Sequence, residues 1–277
     1  MSPERISFST DEADNNVTFL GRGGSDTTAV ALAHAVKADA CELYTDVTGV
    51  FTTDPRLVPT ARLMSNVSFD ELLEMTATGC PKPAMRSVEY ARTHGVKLHI
   101  RSAFTWQEGT WVGEEKVEME QAIVSAVTHD TSETKMTISG VPDKPGLAAG
   151  IFRALSDVDV NVDMIVQNTS EDGFTDISFT VPHGDLEVSM SIAENLIGDI
   201  GASGVSSDTE VARVTVIGAG MRSNPGVAAS MFETLAENGI NIQMISTSAI
   251  RISCMVAENQ INEAVQALHE TFGLAES

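Results

Sequence analysis

Residues 20–28 read LGRGGSDTT, which sets a cation (Arg22), a glycine pair (Gly23, Gly24), a hydroxyl (Ser25) and a carboxylate (Asp26) in five consecutive positions. An alanine-rich helix is expected to follow over 29–36. Glycine lets backbone approach a ligand closely, and the unpaired N–H groups at a helix start suit phosphate. The spacing is neither GxGxxG nor a Walker A loop, so a plain glycine-rich turn is the competing reading. Downstream, ELYTDVTGVFTTDPR (42–56) reads as a strand ending in Thr45-Asp46, a turn through Gly49, and a polar turn at Thr53-Asp54-Pro55-Arg56. Asp at a strand end can hold Mg²⁺ or orient a hydroxyl, and Arg can neutralise phosphate. Surface turns rich in Asp and Pro are the alternative.

A second kind of chemistry is written twice. VPDKPGLAAGIFRALSDVDVNVDMIVQN (141–168) and MRSNPGVAASMFETLAENGINIQMISTS (221–248) align without a gap at an offset of 80 residues. Pro145-Gly146 matches Pro225-Gly226, Phe152 matches Phe232, Asn161 matches Asn241, and Met164 matches Met244. Such self-similarity implies two copies of one unit. At each Pro-Gly turn the backbone can come close to a ligand, and the next helix start favours a carboxylate. Asp143, beside the first turn, can take an ammonium group. Together these features suit a free amino acid; a plain strand-to-helix turn is the competing reading, weakened by its occurring twice.

The elements that must hold these residues follow from periodicity. Alternating strands are expected over 135–139 and 213–217, each leading through its Pro-Gly turn into a helix with apolar positions at Ala148, Ile151, Phe152 and Leu155, and their equivalents. Second strands start at 160–162 and 240–242, third strands lie at 176–181 and 250–256, and second helices at 187–196 and 260–272. That is β-α-β-β-α-β, a ferredoxin-like sheet with two helices on one face.

Composition limits the remaining options. The chain has 277 residues, 42% of them hydrophobic, enough for two or three domains. No apolar run reaches the ~18 residues of a membrane span. With 17 Lys+Arg against 39 Asp+Glu the net charge is −22, which repels nucleic acid and anionic membranes. Cys41, Cys80 and Cys254 show no metal or redox spacing, which reads as small buried residues in a cytoplasmic protein. The six histidines show no metal spacing, and Trp106 and Trp111 read as packing residues.

Taken together, LGRGGSDTT and ELYTDVTGVFTTDPR, followed by SFDELLEM (68–75), RSVEYAR (86–92) and VKLHIRSAF (96–104), closely resemble the C-terminal half of the aspartate kinase catalytic domain. Residues from about 133 to 274 resemble a tandem pair of ACT domains, modules that bind amino acids. The resemblance implies an α/β chain, a partial three-layer amino acid kinase fold followed by two ferredoxin-like ACT domains. The expected boundaries are 1–16 for a tail or one irregular strand, 17–125 for the kinase half, and 133–208 and 213–275 for the ACT units. The implied activity is ATP-dependent phosphorylation of L-aspartate to 4-phospho-L-aspartate, the first step of lysine, threonine and methionine biosynthesis, with feedback regulation.

By the same resemblance, Ser25 contacts aspartate, Asp26 sits near the transferring group, and Lys82 is the lysine for the phosphates. Arg22, Gly23 and Gly24, then Tyr44, Thr45 and Asp46, and Val50, Phe51, Thr52, Thr53, Asp54, Pro55 and Arg56 surround ATP and Mg²⁺, with no resident metal site otherwise. Asp143, Lys144, Pro145, Gly146, Leu147, Ala148, Asn161, Val162, Asp163 and Gln167 match effector positions of the first ACT unit. Val227, Ala228, Asn241, Ile242, Ser248 and Ala249 match those of the second. Lysine, threonine or both are the implied effectors, and ACT pairing implies a homodimer or heteromer.

Several positions depart from the family pattern. Nothing before Val17 resembles the family's N-terminal lobe. Where the family has Gly-Ser/Ala-Lys, this chain has Gly79-Cys80-Pro81-Lys82-Pro83, so ungapped alignment puts Pro81 in the lysine's place. Thr48 and Ala249 each replace an acidic residue. These departures keep open an alternative, a catalytically incompetent sensing subunit or half-kinase that acts with a complete kinase. The glutamates at 114, 115, 118 and 120 read as a solvated linker.

Overall fold

The computed structural model describes residues 8–10, 17–114, 123–168 and 173–275. Most of the expected tail, and Glu115, Glu118 and Glu120 of the expected linker, lie outside these residues. Strands β1 (Phe8–Thr10) and β2 (Val17–Phe19) pair antiparallel.

The kinase-like part then runs through α1 (Gly24–Ala35), β3 (Cys41–Thr45), β4 (Asn66–Ser68), α2 (Phe69–Ala77), α3 (Met85–His94), β5 (Leu98–Ser102) and β6 (Thr110–Gly113). Its sheet has the order β3-β5-β6-β4, with β3 parallel to β5. Period-2 alternation in β3 turns Cys41 and Leu43 into the core and leaves Glu42 and Tyr44 exposed. Val30 of α1, Leu72 and Met75 of α2 and Val88 of α3 fill that core. Helix α2 starts on a capping box: Ser68 Oγ accepts the Glu71 amide at 3.2 Å, and Glu71 Oε2 accepts the Ser68 amide at 3.3 Å. Helix α3 ends at Gly95, whose φ of 66° is the left-handed cap that glycine allows.

Next come β7 (Ala126–Asp130), β8 (Glu133–Pro142), α4 (Leu147–Ser156), β9 (Ile165–Gln167), β10 (Phe174–Pro182), α5 (Leu186–Ile200) and β11 (Gly204–Asp208). The second copy follows as β12 (Val211–Ile217), α6 (Gly226–Glu237), β13 (Met244–Thr247), β14 (Arg251–Ala257) and α7 (Ile261–Thr271). The first copy makes a sheet of order β11-β8-β10-β9, with its own closing strand β11. In the second copy the order is β13-β14-β12-β7. Its fourth strand is therefore β7, which precedes the whole first copy and pairs antiparallel with β12. Two ferredoxin-like sheets result, but the second closes on a strand more than 80 residues upstream. Local periodicity holds no sign of a partner that far away. The second strands begin later than expected, at Ile165 and Met244, because Val160 and Ile240 are buried at the helix exits instead.

All seven residues of β12 are buried, although its sheet is antiparallel. Ala212, Val214 and Val216 face α6 and α7. On the other face, Val211 meets Met164 of the first copy and Ile217 joins the kinase core. A strand covered on both faces is mostly apolar, and its two polar residues, Arg213 and Thr215, are each paired. Met75, Met164 and Met244 are core residues, and Trp111 stacks on His99 with ring centroids 3.8 Å apart. Trp106 does not pack: it is 96% exposed on the β5–β6 loop.

Candidate functional site

Helix α1 begins at Gly24 after a left-handed Gly23, φ 73°. A Cβ on Gly23 would lie 2.4 Å from the Cβ of Ala84, so the loop and the start of α3 close on each other only because residue 23 is glycine. Asp26 fastens the same contact, since its carboxylate accepts the Ala84 amide at 3.2 Å. Arg86 adds a bond to the Leu20 carbonyl at 3.1 Å. Two residues before Ala84, the Lys82 ammonium pairs with Asp46, just past the end of β3. That pairing holds the Asp46 carboxyl below its usual range. Thr45 fixes the approach: its hydroxyl accepts the Val47 amide at 3.0 Å and donates to the Val47 carbonyl at 3.1 Å. A helix N-terminus, a lysine and a strand-end carboxylate thus converge where open α/β sheets bind ligands, beyond the carboxyl ends of parallel strands.

Lys82 reaches Asp46 although Pro81 holds the place the family gives to lysine. Both side chains are well exposed, 41% and 66%. Tyr44 lies beside them, donating to Glu42 at 3.1 Å with Arg101 over its ring at 5.8 Å. Asp54 chelates Arg56 through Nε and Nη2 at 2.6–3.1 Å, which lowers the Asp54 carboxyl. Val50, Thr52 and Thr53 depart from the expectation of nucleotide contact. All three side chains are buried, and Thr52 is consumed by bonds to the second ACT unit.

In the first ACT unit, Asp143, Lys144, Pro145, Gly146, Leu147, Ala148 and Gln167 line one open cavity of about 300 Å³ together with Val141, Pro142 and Ile177. Asn161, Val162 and Asp163 do not line it. Val162 packs in the core, and Asp163 is drawn off by Arg213. Arg213, 1% exposed on β12, also meets Asp130 at 3.1 Å, Glu133 at 3.0 Å and the Ala77 carbonyl at 3.1 Å. It therefore joins all three units. Burial pushes the Glu133 carboxyl up despite that cation.

In the second ACT unit, Val227, Ala228 and Ile242 pack on the core and Asn241 is exposed. Ser248 donates to Glu74 of α2 at 3.0 Å, beside the exposed Ala249. Sequence reasoning passed over the joint itself. Glu71 and Glu74 sit in an ordinary amphipathic helix, yet Glu71 Oε1 accepts Ser125 Oγ at 2.6 Å and the Ala219 amide at 3.3 Å, and Glu74 pairs with Arg251 at 3.1 Å. A charged residue on the buried side of α2 was the one available signal.

The family model for the amino acid kinase family matches residues 6–102, and ACT domain models match 136–198 and 214–272. Fold and site define an amino acid kinase domain joined to a pair of ACT domains. The aspartokinase of Mycolicibacterium smegmatis is 52% identical over 263 residues, covering 94% of this chain and 62% of that protein. The crystal structure of aspartokinase alpha and beta subunits includes a chain 45% identical, TM-score 0.52, covering 54% of this chain and 99% of that one. Aspartokinase III of E. coli, in complex with aspartate and ADP, is 25% identical with a TM-score of 0.81, covering 96% of this chain and 59% of that one. The chain belongs to the aspartokinase family. It spans about three-fifths of the length of the curated relative it matches.

Proposed function

We propose that this chain carries the nucleotide-binding and amino-acid-sensing parts of an aspartate kinase, which transfers the γ-phosphoryl group of MgATP to the side-chain carboxylate of L-aspartate. The observation that carries this reading is the Lys82–Asp46 pair, held over the start of α1 by the Asp26–Ala84 bond. The donor set fits the nucleotide and its metal: an exposed carboxylate at Asp46, an exposed ammonium at Lys82, and helix N–H groups at Ser25 and Asp26. Bound Mg²⁺ would neutralise phosphate charge. Lys82 would swing from Asp46 to the phosphates, and Ser25 would orient the substrate carboxylate. As the acyl phosphate bond forms, the bond from the γ-phosphorus to ADP oxygen breaks. The protein's contribution is positioning and charge neutralisation. The aspartate and ADP bound to the E. coli relative support this assignment.

The cavity at Asp143–Ala148 is at the small end of ligand pockets, which run from about 300 Å³ upward. Asp143 for the ammonium and the start of α4 for the carboxylate support it as the proposed effector site, with lysine or threonine as ligand. Assembly runs through the ACT units, whose edge strands β9 and β13 leave Ile165 and Ile245 exposed. The proposed setting is cytoplasmic, a reading that the free thiols Cys41, Cys80 and Cys254 support.

Calorimetry with MgADP, L-aspartate, lysine and threonine tests both sites. The proposal requires MgADP binding that Lys82→Ala weakens, and a lysine or threonine isotherm that the same change leaves alone. An amino acid isotherm without any MgADP binding would favour a purely sensing subunit, and neither isotherm would reject both readings.

A further inference from the structure

The segment from Val50 to Val58 has two faces. Asp54 and Arg56 stand on the outer one, with the Arg56 side chain 82% exposed. The inner face is built into the second ACT unit. Thr52 is fully buried, with its Oγ1 2.9 Å from His269 Nε2 and 3.3 Å from the Leu274 carbonyl. The same hydroxyl accepts the Arg62 amide at 3.0 Å. The Thr52 backbone is also committed, donating to Arg62 O at 2.9 Å and accepting from Val127 N of β7 at 2.8 Å. Six residues on, Val58 lies in the core of the second ACT unit with Leu57 against it. Gln266 of α7 donates to the Leu57 carbonyl at 3.1 Å. The segment that displays Asp54 and Arg56 is thus seated on the last helix of the sensor.

We infer that His269 of α7 is a positioning residue: through Thr52 it sets where Asp54 and Arg56 stand beside the nucleotide site, giving the sensor a second mechanical connection to the kinase part, separate from helix α2. This rests on the nucleotide site proposed above, with Asp54 and Arg56 at its edge as the family resemblance implies. A hydroxyl–imidazole bond in a dry core has no water to replace it: Thr52→Val leaves His269 Nε2 without this partner, and His269→Leu leaves the Thr52 hydroxyl held only by the Leu274 carbonyl and the Arg62 amide. Burial, with Arg62 nearby, keeps the imidazole pKa below its usual value, so the ring is neutral at pH 7 and both partners are uncharged. The Leu57 and Val58 contacts anchor the far end of the segment. Between those anchors lies the turn that carries Asp54 and Arg56, closed by the Leu57 and Val58 amides on the Asp54 carbonyl at 3.0 Å each. A shift or tilt of α7 therefore moves that turn.

The test compares full-length chains carrying His269→Leu, His269→Gln or Thr52→Val with the unaltered chain, by amide hydrogen exchange and by MgADP calorimetry. His269→Leu and Thr52→Val should each speed exchange at residues 52–62 about tenfold (~1.4 kcal/mol) relative to the amides of β12 and β14. Each should weaken MgADP by a similar factor. His269→Gln, which keeps a polar group near the Nε2 position, should restore most of both. Combining Leu and Val should add little to either single change. A merely structural role would speed exchange evenly over β12, β14 and the segment and leave MgADP affinity unmoved. That result, or unchanged exchange at 52–62, overturns the inference. Should His269→Leu fail to fold, Thr52→Val carries the same comparison. If the unaltered chain takes up no MgADP, the nucleotide reading of Asp54 and Arg56 falls, while the exchange comparison still decides whether His269 holds the segment.

Discussion

Glu74 of helix α2 holds Arg251 of strand β14 at 3.1 Å, so the helix that leads into the Lys82 loop is fastened to the second ACT unit by a charge pair. The pair is mostly covered, with 23% and 14% of the two side chains exposed, and Arg251 Nε has no hydrogen-bond partner among the described residues. At the end of the same helix, Thr78 and Thr128 share a hydrogen bond of 2.6 Å. Gly79 lies so close to β7 that a Cβ there would stand 1.8 Å from the His129 carbonyl.

Glu74→Gln keeps the shape of the side chain and removes its charge. A covered arginine left without its carboxylate should cost about 1–3 kcal/mol in urea unfolding. Hydrogen exchange should quicken at residues 78–84, downstream of the helix. An unchanged urea midpoint and unchanged exchange would show that the pair couples nothing.

Gly23→Ala places a methyl against Ala84 in a left-handed backbone position. Strain there costs on the order of 1–3 kcal/mol, unless α3 moves away and takes the Lys82 loop with it. Either way MgADP affinity should fall, as read by calorimetry. A variant with unaltered melting temperature and affinity would mean that the contact between the loop and α3 is not needed.

Much of this was legible in the sequence. The repeat at 141–168 and 221–248 has full helical periodicity, and LGRGGSDTT carries its own turn chemistry, so units and loop alike are local signals. The rest depends on contacts between residues distant in the chain. β7 reads as an ordinary short strand, and only β12, more than 80 residues later, makes it part of the second ACT sheet. Thr52 lies in a stretch whose neighbours Asp54 and Arg56 do face outward, and alternation alone does not say that its hydroxyl turns to α7. Asp163 follows Asn161 and Val162 in the repeat pattern, yet Arg213 claims it because a fully covered cation must be paired.

Stability should fall in two stages as the solution is acidified. Burial holds the pKa values of His129 and His269 below their usual 6.5. The unfolded chain therefore takes up protons below about pH 6.5 while the folded chain does not, and stability is lost as pH drops through that region. Asp46 and Asp54 are shifted down as well, by hydrogen bonds from Lys82 and Arg56. Their stabilisation is present above their unfolded value of about 3.9 and is lost as pH falls further. Melting temperatures from pH 8 to pH 3 check this, with His269→Gln shrinking the first stage. A curve flat between pH 7 and pH 5 would count against neutral buried histidines.

Asp143→Asn should weaken the effector amino acid about tenfold or more, since it removes the charge facing the ammonium at the rim of the cavity (~1.4 kcal/mol per decade). Fold stability should stay within about 0.5 kcal/mol, because Asp143 is exposed. Titration of lysine and threonine into both forms decides it. Equal affinities would place the effector elsewhere.

The most direct measurement is acyl phosphate formation, trapped as hydroxamate, from MgATP and L-aspartate by the chain and by its Lys82→Ala variant. Because the Lys82–Asp46 pair is exposed, its loss should change stability by no more than about 1 kcal/mol. The account predicts hydroxamate that requires both substrates and disappears in a Lys82→Ala protein of near-normal melting temperature. Hydroxamate undiminished by the loss of Lys82, or none from a folded chain given both substrates, would contradict it.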